Sequence, residues 1–279
     1  NELPLNIHQS EVKSIVTIHD LIFLHYPQYY HSIDRKIYTY KFRKACENAD
    51  KIIAISECTK RDIIEFFRIP PDKIEVVYQG CDPSFIHPVA EEKKREVRAK
   101  YQLPDHYILN VGSIEERKNA LSAVQALMML PEQIHLVIVG RHTEYTDKVE
   151  HFIKENKLEE RVHIISNVPF DDLPAFYQLA EIFVYPSRFE GFGIPIIEAL
   201  YSGIPVVAAT GSCLEEAGGP DSIYVHPDDI KGMTDAFKQI YTDPERKKNM
   251  IEKGHSFAKR FSEEKQAEEI LNIYKKLMK

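Results

Sequence analysis

No apolar run in this chain approaches the ~20 residues that a membrane-spanning helix requires, and no charged-apolar-small leader opens it. It starts at Asn1 rather than Met, so a chain processed or cut from a longer one is expected. A basic excess is also missing. Lys and Arg number 36 against 43 Asp and Glu, a formal net charge of -7. A nucleic-acid partner, which needs a basic face, is therefore not expected. The four cysteines, Cys46, Cys58, Cys81 and Cys213, stand far apart, without zinc-ribbon or redox spacing. They read as free thiols of a reducing, cytoplasmic compartment. Tryptophan is absent, which excludes nothing. No G-x-G-x-x-G follows a strand, which argues against an NAD-type oxidoreductase. No Asp-x-Asp supplies a metal carboxylate pair, so neither metal nor cofactor is expected.

What is present fits a globular α/β protein. Hydrophobic residues make up 43% and charged residues 28% of the 279 residues. At ~150 residues per domain, that length suggests two domains. Short Ile- and Val-rich runs recur at Ser14–Ile18, Lys51–Ala54, Ile74–Val77, Tyr107–Val111, His135–Val139, Val162–Ile165, Ile182–Tyr185 and Ile204–Ala208. Nearly continuous apolar runs are how strands covered on both faces read. Helical spacing marks Thr59–Phe67, Ala120–Leu130, Asp147–Asn156, Asp172–Leu179 and Pro195–Ser202. Asp34–Ala49 is also helical, but its apolar residues are mixed in spacing. Strands alternating with helices predict doubly wound parallel sheets of the Rossmann type.

The weakest stretch for core structure is Gly80–Gln102, a Pro-containing loop and then a solvated, charged helix. The domain hinge is placed there. The expected division is a partial N-terminal domain over 1–88, a nearly complete domain over 89–261, and a final amphipathic helix over 262–279. The N-terminal side holds about three strands, too few for a stable Rossmann domain, so further strands are expected ahead of Asn1.

Three constellations carry chemistry. In the first, a buried strand ends at Val111 and is followed by Gly112, Ser113, Arg117 and Lys118, with a helix starting near Asn119. Gly112 allows close backbone approach, and two cations beside a helix N-terminus suit a diphosphate. A solvated Arg-Lys pair is the plainer alternative. In the second, Glu190 and Glu198 bracket Gly191, Phe192, Gly193, Ile194 and Pro195 after the strand Ile182–Tyr185. Pro195 suits the first turn of a helix and Gly203 its C-terminal end. Two acids near exposed amides at the carboxyl end of a parallel strand can accept hydrogen bonds from sugar and ribose hydroxyls. The plainer alternatives are a first-turn dipole role for Glu198 and a surface acid at Glu190. In the third, the run Val16–Leu21 empties a buried strand into His19 and Asp20. There a hydrogen-bonded His beside a capping Asp is the favoured reading of the residues taken alone.

In combination these residues resemble family 4 of the retaining glycosyltransferases, mannosyltransferase-like members in particular. The similarity is carried by Gly112-Ser113-x-x-x-Arg117-Lys118-Asn119 and the Glu190–Glu198 pattern. Thr17-Ile18-His19-Asp20, Ala54-Ile55-Ser56 and Val77–Asp82 extend it, from about Val12 to the C-terminus. The resemblance implies the GT-B fold, two facing Rossmann-like domains, with the N-terminal one incomplete here. It implies a metal-independent transfer of a hexose, with mannose expected, from a nucleoside diphosphate sugar to a glycan or lipid-linked acceptor. Arg117 and Lys118, with Gly112 and Ser113, would hold the diphosphate, and Glu198 the ribose. Glu190 and the Gly191–Ile194 backbone would hold the sugar and distal phosphate, Asn167 and Val168 would meet the base, and His19 would contact the sugar. The terminal helix would return to the N-terminal domain. Retention would follow front-face attack within an ion pair. A non-catalytic nucleotide-sugar binder and a UDP-glucose-type enzyme are the alternatives. Any peripheral membrane contact is expected to reside ahead of Asn1, as is much of the acceptor site.

Overall fold

The computed structural model describes residues 12–278. The first eleven residues of the expected N-terminal domain, and Lys279, lie outside the described residues. The chain divides into two compact units. One comprises the described residues up to Gly80, the short segment Glu190–Phe192, and the chain from Phe261 onward. The other comprises Cys81–Phe189 and Gly193–Arg260.

In the N-terminal unit three strands, β1 (Ile15–Ile18), β2 (Lys51–Ala54) and β3 (Ile74–Val76), form a parallel sheet in the order β1-β2-β3. Strand alternation sorts their side chains onto two faces. Val16, Ile18, Ile52, Ala54 and Ile74 pack on one face with Ala45 and Cys46 of the helix Ser32–Asn48 and with Ile63 and Phe67 of the helix Glu57–Phe67. Ile53 on the other face meets Val77 and Ile273 of the last helix, Glu263–Leu277. That helix is seated at its start. The Gly80 amide donates to Gln266 Oε1 at 2.9 Å, and a Cβ on Gly80 would come within 2.7 Å of the Glu263 backbone.

The second unit holds β4 (Tyr107–Val111), β5 (His135–Val139), β6 (Val162–Ile165), β7 (Ile182–Tyr185), β8 (Val206–Ala209) and β9 (Ile223–Val225). All its pairings are parallel, in the order β6-β5-β4-β7-β8-β9. Counted within the unit this is 3-2-1-4-5-6, the Rossmann order, whose chain reversal falls between β4 and β7. Ile108, Leu136, Ile138, Val184 and Val207 pack against Val124 and Leu127 of the helix Ala120–Leu127 and Phe237 and Ile240 of the helix Ile230–Thr242. An aromatic layer includes Phe176, Tyr177 and Phe183, with the buried Tyr107 hydroxyl donating to the Phe176 carbonyl at 2.6 Å.

The fold is thus the expected one: α/β, with parallel sheets of Rossmann type. Elements that periodicity did not pick out include the edge strand β9, the short helices Ile22–His25 and Leu214–Gly218, and the helices Ile230–Thr242 and Pro244–Ala258. Strand β9 is three residues long and nowhere fully buried, so it lacks a continuous apolar run.

Candidate functional site

In the second unit, the carboxyl ends of β4, β5, β6 and β7 share one edge of the sheet. This is where open α/β sheets bind ligands. The chain leaves β4 at Gly112, whose φ of 148° is disfavoured for L side chains. A Cβ there would lie 3.2 Å from Lys118 Cδ. Next to it, the end of β5 is closed by Gly140, a residue the sequence reading passed over. A Cβ on Gly140 would lie 1.8 Å from the Gly112 carbonyl oxygen, so no side chain fits.

Arg117 and Lys118 do not lead straight into the α-helix. They occupy a 3-10 turn, Glu116–Lys118, and Asn119 then adopts a left-handed conformation at φ 56° before the helix Ala120–Leu127. Asn tolerates that conformation better than most L residues. Its buried amide donates to the Pro227 carbonyl at 2.8 Å, which fixes the turn from behind. From the β7 side, the Arg188 amide donates to the Arg117 carbonyl at 2.9 Å, while the Arg188 guanidinium pairs with Asp228 at 2.6 Å.

Within this clamp the two cations are held, not loosely solvated. The Arg117 side chain is 14% exposed; it donates to the Phe189 carbonyl and lies 3.6 Å from the Glu115 carboxylate. Lys118 Nζ donates to the Tyr185 hydroxyl at 3.0 Å and lies near that ring. The solvated-pair alternative fails on this geometry. Tyr185, at the end of β7, was not singled out from the sequence, because only the β4–β7 pairing makes it a neighbour of Lys118.

Gly193, with φ 124°, precedes the helix Ile194–Tyr201. A Cβ on it would press on Leu214 and Ala217, at 3.1 and 3.3 Å. Pro195 takes the first turn as expected, and Gly203 is left-handed just past the helix at φ 75°. Glu198 is the fifth residue of that helix. It lies beyond the first turn, so a dipole role is not what places it. Its Oε2 accepts from the Tyr177 hydroxyl at 2.7 Å. Burial pushes the Glu198 carboxyl up to about 7, and the Asp82 carboxylate adds to the effect, while the Tyr177 bond opposes it. Tyr177 is fully buried, and burial holds its phenol well above the ordinary value, so it remains the donor. With one position on Oε2 taken by Tyr177, the carboxylate retains others that can accept further hydroxyl donors.

Asn167 and Val168 follow β6 at the sheet edge. Asn167 is exposed and left-handed at φ 58°. Just before it, Ser166 Oγ donates to the Gly140 carbonyl at 2.7 Å, tying this turn to the end of β5. Ser113 Oγ donates to Glu115 at 2.6 Å.

The remaining expected residues belong to the N-terminal unit. His19 follows β1 and is exposed, and its carbonyl accepts from Thr59 Oγ1 at 3.2 Å. Asp20 accepts from the Ile22 amide at 3.1 Å. Of the Glu190–Phe192 segment, Gly191 sits on these residues. A Cβ on it would lie 2.3 Å from the His19 carbonyl oxygen, and the Gly191 carbonyl accepts from Ser56 Oγ at 2.8 Å. Phe192 stacks on Tyr78 at 5.4 Å and meets Phe261 edge-on at 5.5 Å. Gly191 is glycine because a carbonyl occupies the place of its side chain, and Phe192 is an anchor. Ser56 belongs to the Ala54-Ile55-Ser56 motif, but its bond to Gly191 spans 135 positions and no local pattern carries it.

Known proteins match the chain over both units. The family described as glycosyl transferases group 1 matches residues 92–257, and glycosyltransferase family 4 matches residues 4–85. The chain belongs to the group 1 glycosyltransferases. It is 31% identical over 271 residues to O-antigen chain mannosyltransferase B of Escherichia coli, covering 95% of this chain and 71% of that protein. It is 28% identical over 231 residues to O-antigen chain mannosyltransferase RfbU of Salmonella typhimurium strain LT2, covering 82% of this chain and 61% of that one. Against the serotype-specific mannosyltransferase WbdA of Escherichia coli it covers 29% of the relative's length. Among solved structures it shares its fold with sucrose-phosphate synthase from Thermosynechococcus elongatus, at TM-score 0.82 and 24% identity over 97% of this chain and 69% of that one. Anabaena HepE in complex with UDP and glucose superposes at TM-score 0.83 and 18% identity, over 94% and 71%. These are GT-B proteins. No helix among the described residues is long and apolar enough to cross a membrane.

Proposed function

We propose that this glycosyltransferase moves mannose, with retention and without a metal, from GDP-mannose to a glycan or lipid-linked acceptor in bacterial surface-polysaccharide assembly. The observation that carries the donor reading is the clamped turn, which holds Arg117 and Lys118 beside Gly112 at the carboxyl end of β4. Breaking the anomeric bond leaves charge on the departing diphosphate. Fixed cations in a partly dry site stabilise that charge more than cations in water would. Glu198, held by Tyr177, accepts the ribose hydroxyls. The turn at Asn167 and Val168 takes the base. Glu190 and the backbone of Gly191, Phe192, Gly193 and Ile194 take the sugar and distal phosphate, and His19 contacts the sugar. The mannosyltransferase names of the two O-antigen relatives support the choice of sugar.

A UDP-glucose donor is the second reading, favoured by the likeness to HepE, which was solved with UDP and glucose. A thermal-shift titration with GDP, UDP, ADP and NAD in chelator separates the two. A shift with GDP supports the proposal, a shift with UDP supports the second reading, and a shift with NAD alone overturns both. Lys118→Ala is expected to raise the Kd for the nucleoside diphosphate roughly 10- to 100-fold, as loss of a charge-assisted bond would. Unchanged affinity in both Lys118→Ala and Arg117→Ala sinks the diphosphate assignment. Transfer to acceptor should persist in EDTA, and loss of turnover there refutes the metal-free mechanism.

A further inference from the structure

Strand β6 is an edge strand of the six-stranded sheet, held by β5. Val162 and Ile164 turn one of its faces to the core. On the other face the register sets His163 opposite Val137, which makes His163 and His135 diagonal neighbours. His135 Nδ1 and His163 Nε2 lie 3.0 Å apart. The ring centroids are 5.3 Å apart, with planes 21° from parallel. That separation is the nitrogen–nitrogen distance plus a ring radius at each end, so the imidazoles meet end to end rather than face to face. The contact is an in-line N–H···N hydrogen bond, in which one neutral ring donates and the other accepts. A second side-chain bond closes the far end of the strand, from Ser166 Oγ to the Gly140 carbonyl at 2.7 Å. Only four residues long, β6 is thus fastened to β5 by one side-chain bond at each end.

The histidine bond answers to protons. One added proton leaves a charged donor facing a neutral acceptor, and the bond survives. A second turns both facing nitrogens into donors and sets two positive charges across the same 3.0 Å. The rings therefore titrate as one coupled pair. Burial holds both below the ordinary histidine value of 6.5. Arg161, ahead of β6, and His106, ahead of β4, lower His135 further, and His135 lowers His163; Glu160 opposes the shift on both rings. His106 is itself paired with Glu181 at 3.1 Å, and Glu132 acts on Arg161. Below about 6.5 the folded pair binds fewer protons than the unfolded chain, so its stabilising contribution is present above that pH and is lost as pH falls. Two valines would fill this half-buried face without a titrating group, so packing alone does not call for histidine.

We infer that the His135–His163 pair is a proton-operated clasp: protonation of both rings opens it, frees β6 from β5 and loosens the turn at residues 166–168. Asn167 and Val168 lie on that turn, so nucleoside diphosphate affinity falls in acid as well. This consequence rests on the donor reading; the clasp itself does not.

The test is hydrogen exchange of the ligand-free, full 279-residue chain, read at β6 against β4 and corrected for the intrinsic pH dependence of exchange. Opening of β6 is expected to rise roughly tenfold per pH unit below about pH 6, the slope of one proton, with β4 unchanged. In His135→Gln and His163→Gln the amide can donate to a neutral partner and accept from a protonated one. Each variant should therefore flatten the dependence, while His106→Gln should leave it as in the parent chain. Ring nitrogens followed by NMR should titrate in two coupled steps in the parent and in one step in either variant. Circular dichroism at neutral pH verifies folding, and either Gln variant alone suffices. A slope retained in both Gln variants, equal rises in β4 and β6, or independent titration of the two rings overturns the clasp. GDP affinity that falls in acid less steeply in His163→Gln than in the parent supports coupling to the turn, and an identical fall in both overturns it. No GDP binding at any pH overturns the donor reading, with exchange still deciding the clasp.

Discussion

Glu198 gives the second unit a stability component that falls as pH rises. Its carboxyl is pushed up to about 7 in the folded chain, mainly by burial, whereas the unfolded group titrates near its ordinary value of 4.5. Between those values the folded state holds more protons than the unfolded state, so stability falls as pH rises from about 4.5 to 7 and stays lowered above it. Glu198→Gln should therefore raise stability at pH 8 by roughly 3 kcal/mol, read as a higher melting temperature, and change little at pH 5. Equal effects at both pH values would show that the carboxyl is not desolvated. Under the proposed ribose role of Glu198 the same shift couples to the ligand, because hydroxyls donate more strongly to the ionised form. Nucleoside diphosphate affinity is expected to rise with pH through 7 in the parent chain and to lose this component in Glu198→Gln. Calorimetry in buffers of different ionisation enthalpy reads that proton directly. The acid pair and the Arg117-Lys118 pair are ordinary residues when taken alone and were visible in the sequence through their combination with the glycines beside them. Tyr177, Tyr185 and Gly140 were not, since a buried tyrosine or a lone glycine is common and acquires meaning only from its neighbour.

At the level of elements, turns are decided by steric exclusion. Gly140 has ordinary φ, so its need for glycine comes wholly from the Gly112 carbonyl, 1.8 Å from where a Cβ would sit. Gly140→Ala must separate the ends of β4 and β5 and is expected to cost roughly 1–3 kcal/mol, as overpacking does. It should weaken nucleotide binding together with stability. A melting temperature like that of the parent chain would mean that the turn yields cheaply. Gly191→Ala should act likewise in the N-terminal unit through the His19 carbonyl. Strands β1 to β8 were readable because continuous Ile and Val runs mark strands buried on both faces. The helix Ser32–Asn48 read poorly, with mixed apolar spacing, and its structure supplies the reason. Apolar residues on two opposite faces cancel the single-stripe signal on which helical periodicity depends.

At the scale of the whole molecule there are two separate cores, and they depend on different parts of the chain. The core of the second unit is drawn from one continuous stretch, apart from the three residues Glu190–Phe192. The N-terminal unit joins its three-stranded sheet to a helix nearly 200 positions later, through Ile273 on Ile53 and Val77. Ile273→Ala is expected to cost the N-terminal unit ~2–4 kcal/mol, as buried Ile truncations do. Hydrogen exchange should then show lost protection in β1, β2 and β3, with β4 and β5 unaffected. Uniform loss across both sheets would refute separate stability.

The α/β class, the two parallel sheets, the chain positions of the cations and acids, and the family were all set by local patterns, because burial on both faces and glycine-punctuated turns leave their mark within a dozen residues. Tertiary structure alone decided which groups hold those residues. Tyr177 on Glu198, Tyr185 on Lys118, Pro227 on Asn119 and Ser56 on Gly191 are meetings between segments 21 to 135 positions apart. Such contacts depend on strand order and helix packing, and no local periodicity encodes them.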